Sequence, residues 1–176
     1  MFSKKKAPEE MADIIAERMS GGVPEVVSFI LEQLQDKLNI RLDSRRNEQV
    51  LFETFAFFMH IVDRMAFEAL GVDGRVAFGD RLVSRIAGTL ASTDLVERLR
   101  DTYNKRQVKY AQYQELLPPE SKPLKGTLVW EFSKVVLELT GDSNPTTLVL
   151  ICHMVSDWVP FMMQDALKVE SVLKGD

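Results

Sequence analysis

Val50-Leu51-Phe52-Glu53-Thr54-Phe55-Ala56-Phe57-Phe58-Met59-His60-Ile61-Val62-Asp63-Arg64-Met65-Ala66-Phe67-Glu68-Ala69-Leu70 decides the fold class. No proline or glycine interrupts it, and Val50, Leu51, Phe55, Phe58, Met59, Val62, Met65, Ala66 and Leu70 recur in steps of three and four. That spacing predicts a helix, capped by Asp43 or Ser44 at its start and ended by Gly71. About two thirds of its circumference is apolar, so it needs neighbours on several sides. The polar remainder, Gln49, Glu53, His60, Asp63 and Arg64, gathers into one narrow stripe.

The flanking sequence carries the same period. Toward the amino terminus, a helix starting at Pro24 carries Val26, Val27, Ile30, Leu31, Leu34 and Leu38 on one face. An earlier one opens with Pro8, Glu9 and Glu10 and is expected to stop at Gly21 and Gly22. Beyond the Gly71–Gly74 turn, Val76, Leu82, Val83, Ile86, Ala87 and Leu90 give a fourth helix. Thr93 or Asp94 caps a fifth, which runs toward the Leu116-Leu117-Pro118-Pro119 break. Residues 118–125 form an internal proline-rich linker, and Gly126 and Thr127 open a sixth helix over Leu128–Leu139. After the Gly141–Pro145 turn the last helix runs from Thr146 to the neighbourhood of Val169. The expected fold is therefore all-α, a single-domain helical bundle of about seven helices over residues 1–176, with residues 1–7 flexible. The helices starting near Ser44 and Thr146 are expected at its centre.

Composition narrows the function classes. The 176 residues hold 26 acidic and 22 basic side chains, a net charge of -4, which argues against nucleic acid as a partner. The single cysteine, Cys152, excludes an internal disulfide framework and a multi-cysteine zinc site and suits a cytoplasmic setting. Lys4, Lys5 and Lys6 are followed by Glu9 and Glu10, not by the apolar run of a signal peptide. The most apolar stretch, Leu148–Met163, is interrupted by His153, Asp157 and Pro160 and falls short of the ~20 residues of a membrane span. It reads as a buried helix. No phosphate-binding glycine loop, His-Glu-x-x-His or Gly-x-Ser-x-Gly element occurs, so the common hydrolase and nucleotide chemistries lose their usual support.

Two candidate surfaces remain. The last helix carries a second polar stripe, Thr146, His153, Asp157, Gln164 and Lys168. If the two stripes faced each other, Glu53, His60, Asp63, His153 and Asp157 would suit iron, manganese or zinc, the ligand set of a metal-dependent, oxidoreductase-like bundle enzyme. The Glu-x-x-His spacing of di-metal bundles is missing, since Phe57 and Leu150 precede the histidines by three, and both stripes read first as water-facing sides with no cofactor. On the fifth helix Tyr103, Arg106, Tyr110 and Tyr113 follow three-four spacing and offer aromatic and arginine anchors for a partner. Trp158, Phe161 and the methionines could line a pocket for an apolar ligand. The leading expectation is a non-enzymatic cytoplasmic interaction or regulatory protein, acting through a helical surface on a protein partner or on itself. The alternatives are the metal-dependent enzyme and a sensor of a small apolar ligand.

Overall fold

The computed structural model describes residues 6–117 and 124–175, so residues 1–5 of the expected flexible terminus and residues 118–123 of the expected linker lie outside it. All the regular structure of the described residues is helical, and there is no strand among them. The all-α class holds. Five helices of 13 residues or more and one short terminal turn of helix replace the expected seven.

The first discrepancy lies in α1 (Pro8–Leu38), which runs unbroken through Gly21, Gly22 and Pro24. Glycine costs a helix about 1 kcal/mol and proline about 3. Against that, Met11, Ile15 and Met19 before the weak point and Val23, Val26, Val27, Ile30 and Leu34 after it form one buried face, and each such side chain contributes about 1.5–3 kcal/mol on burial. Tertiary packing therefore overrides propensity. Gly22 also admits a neighbour: a Cβ there would lie 3.1 Å from Met162 Cε.

The second discrepancy is a bend. α2 (Ser44–Ala87) opens on Asp43, whose side chain accepts the Arg46 N–H, and contains Gly71 at φ 70, ψ -172. That backbone conformation is essentially confined to glycine. A Cβ on Gly79 would lie 3.7 Å from Asp63 Oδ1, although sixteen residues of straight helix would span about 24 Å. The two arms, residues 44–70 and 72–87, therefore lie side by side, and the expected third and fourth helices meet at Gly71.

α3 (Thr93–Tyr110) is capped by Ser92, one residue ahead of the expected caps, and α4 (Leu128–Thr140) by Thr127. α5 (Pro145–Phe161) starts at Asn144 and gives way after Pro160 to a π-helical turn, Met162–Ala166, because proline supplies no N–H to the α-helical ladder. Lys168 then takes a left-handed conformation and α6 (Val169–Lys174) ends the described chain. The helical stretch from Pro145 to Lys174 is long and apolar enough, by length and composition alone, to cross a membrane. In this fold 44% of its most apolar window is buried.

α2 is the hub, touching α1, α3, α4 and α6, whereas α5 packs chiefly on α4 and less on α1. Of the two helices expected at the centre, only the first is there. Its Phe57 stacks on Phe132 of α4 at 4.5 Å between ring centroids and meets the edge of Tyr110 on α3. This arrangement lays α3 along the polar stripe of α2.

Candidate functional site

The α2 stripe is a seam between two helices. Glu53, His60 and Asp63 are all buried, and α3 or the second arm of α2 supplies a partner to each. Arg106 donates Nε to Glu53 Oε2 at 2.6 Å and Nη2 to Oε1 at 2.8 Å, a bidentate pair with both side chains at most 9% exposed. Gln49 donates to the same carboxylate and to Thr102. His60 Nδ1 meets Gln107 Oε1 at 2.8 Å. Asp63 accepts two hydrogen bonds from Arg75, which reaches back across the Gly71 bend. Arg64 closes the row on the carbonyls of Tyr113 and Gln114. Only Leu99, Thr102, Arg106 and Tyr110 of α3 are buried, so this helix is held by polar contacts along the seam together with a short apolar edge.

Burial governs the electrostatics of the seam. It depresses the pKa of His60, an effect the Gln107 contact and Asp63 oppose and Arg64 and Arg75 reinforce, so the imidazole is neutral at pH 7. Burial works against the Arg106 charge too, but Glu53 more than offsets it and the guanidinium is held charged. Burial, with Asp63 beside it, pushes the Tyr103 hydroxyl up to about 12 and, with Glu53, raises Tyr110 further. Three polar atoms of the seam, His60 Nε2, Gln107 Nε2 and the Tyr110 hydroxyl, are buried without a hydrogen-bond partner among the described residues. No family model, curated protein or solved structure matches this chain. Function has to be read from the geometry.

The residues proposed from sequence separate into two places. Glu53, His60 and Asp63 lie inside the seam, each committed to a neighbour, while His153 and Asp157 are exposed on α5. Among the described residues no group of three or more His, Cys, Asp or Glu side chains is placed to hold a metal ion. The reading of the α2 stripe as a water-facing side is corrected: α3 covers it. The α5 stripe is exposed at Thr146, His153, Asp157, Gln164 and Lys168. Of the expected aromatic face, Tyr110 is wholly buried, Arg106 is spent on Glu53, and Tyr103 and Tyr113 are partly exposed. These four do not form one open surface.

An open surface lies instead at the bend. Asp63, Val72, Arg75, Val76, Asp80 and Tyr103 are among the residues lining a cleft of about 370 Å³, which Gln107 and Val83 complete. Val72 and Val76 are 65% and 58% exposed, and nearby Phe67 is 47% exposed under the Arg75 guanidinium. Arg75 and Gln107 drew no attention in the sequence. The one usable signal was Gly71 between two apolar periods, which marks a bend without saying what faces it.

Proposed function

We propose that the chain is a non-enzymatic interaction protein acting through a helical surface, and that its working surface is the bend of α2 rather than the tyrosine face of α3. One observation carries this reading. Phe67, Val72 and Val76, half of the large apolar side chains left well exposed among the described residues, fall within ten residues of one another, and Val72 and Val76 line a cleft shared with Asp63, Arg75 and Asp80. Contiguous apolar surface with a polar rim is the usual mark of a docking site, whereas single exposed apolar residues such as Val108 and Val149 are ordinary. The buried charged groups support it as well, because Glu53, Asp63 and Arg106 are each tied in a bidentate pair and His60 has one nitrogen on Gln107. None stands free as a nucleophile or base at an open surface.

The test is site-specific photo-cross-linking in cells with a benzophenone side chain placed at position 76 and, separately, at position 149 on α5. Adducts to a protein at position 76 and few at position 149 are expected. Equal yields at both positions, or none at 76, would reject the bend as the working surface.

A further inference from the structure

The charges around the bend say what kind of partner fits. Asp73 and Asp80 are exposed and have no ion-pair partner among the described residues, whereas Glu68 faces a separate groove against α6. Of the nearby cations, Arg75 pairs with Asp63, while Arg81 and Arg85 share the single Asp13 carboxylate. The start of the second arm of α2 therefore presents exposed valines with two unpaired carboxylates, Asp73 and Asp80, as an acidic rim. The cleft is lined by Val72, Val76 and Val83 together with Asp80, Tyr103 and the Asp63–Arg75 pair, whose charges cancel and leave Asp80 as the unpaired one. A lysine or arginine side chain matches this arrangement, since its methylene stem covers apolar surface while its charged head stays near carboxylates and water. The rim would also steer a basic segment in and turn an acidic one away.

We infer that the α2 bend docks a basic amphipathic segment of a protein partner, with one lysine or arginine side chain entering the cleft, its stem on Val72, Val76 and Val83 and its head at Asp80. This rests on the reading of the bend as the working surface and adds the chemistry of the occupant. A second copy of this chain is a poorer fit. The exposed face of α3 mixes Arg100 and Lys105 with Glu97 and Asp101, so it offers the acidic rim no net positive charge. An anionic bilayer would be repelled by the same carboxylates.

The experiment is a titration of the full chain, ¹⁵N-labelled, with three synthetic eighteen-residue peptides. One is a leucine-lysine amphipathic helix, the second replaces every lysine with glutamate, and the third replaces every leucine with serine. The first should shift amides of residues 67–83, Tyr103 and Gln107, and bind less tightly as salt rises. The other two should bind at least about tenfold more weakly. Asp73→Asn with Asp80→Asn should weaken the first peptide about fivefold or more without lowering the melting temperature. Binding of the glutamate peptide as strong as that of the lysine peptide would overturn the inference, as would shifts centred away from the bend or an unchanged affinity in the double variant. So would dimerisation of the chain alone that Val76→Asp abolishes, which would put a second copy on the surface. A peptide failure with strong cross-linking at position 76 rejects the basic partner alone, whereas loss of the cross-link rejects the working surface itself.

Discussion

Removing Arg106 should expose how much the seam between α2 and α3 depends on a buried ion pair. In Arg106→Met the stem volume is kept and the charge lost, which leaves the Glu53 carboxylate buried with Gln49 as its remaining donor among the described residues. Stranding one partner of a buried pair costs about 3–5 kcal/mol. At an unfolding entropy of about 2.1 cal/mol/K per residue, a chain of 176 residues should melt about 8–14 °C lower. Replacing both partners, Glu53→Leu with Arg106→Met, removes the stranded charge, and the double variant should regain most of the loss because an apolar pair of similar volume is often neutral or better. Thermal melts by circular dichroism of the wild type, both single variants and the double variant close the cycle. A loss under about 1 kcal/mol in Arg106→Met is the result expected of a surface pair and would refute a buried seam. A double variant no more stable than either single one would refute the stranded-charge explanation.

The pH dependence of stability should carry a histidine component. Since the fold holds His60 below its ordinary pKa of 6.5, the unfolded chain takes up a proton first as pH falls. Stability is therefore full above 6.5 and declines below it until the depressed value is reached, and urea titrations from pH 7.5 to 5 should lose that decline in His60→Gln. An unchanged slope in that variant would count against a buried imidazole. Tyr110→Phe deletes a buried hydroxyl that has no partner, so its melting temperature should stay equal or rise, with a gain of up to about 1–3 kcal/mol. A clear loss would mean the hydroxyl is bonded. Gly71→Ala forces a side chain into a φ of 70 with ψ of -172 and should cost about 1–3 kcal/mol in a chemical melt, whereas Gly21→Ala, in an open helical position, should be neutral or stabilising.

The sequence was most legible where burial and period agree. The apolar arc from Val50 to Leu70 identifies the hub helix, and the turn and capping chemistry at Asp43, Thr127, Gly141 and Pro145 marks real helix ends. Weak positions inside α1 misled because glycine and proline act locally for a few kcal/mol, while a continuous buried face is decided by what packs on it. The polar stripes misled for a different reason. Gln49, Glu53, His60 and Asp63 have the same projection as the α5 stripe, and a helical wheel cannot distinguish water from a second helix that brings its own Arg106, Gln107 and Thr102. Tyr110 joined the expected docking face on spacing alone, although the same spacing describes the side of α3 that faces the core. The bend cleft depends on Gly71 returning the chain beside itself, which brings Arg75 to Asp63 across a distance that sequence separation does not reveal.

The covered stripe is the premise on which the α2 bend becomes the open surface, and the two histidines of the chain test it directly. Diethyl pyrocarbonate modifies accessible imidazoles, and peptide mass spectrometry locates the product. On the native protein at neutral pH, His153 should react readily on the exposed face of α5, while His60, buried at 3% exposure beneath α3, should react only after denaturation. Modification of His60 as fast as His153 in the native chain would contradict the seam and return the α2 stripe to solvent.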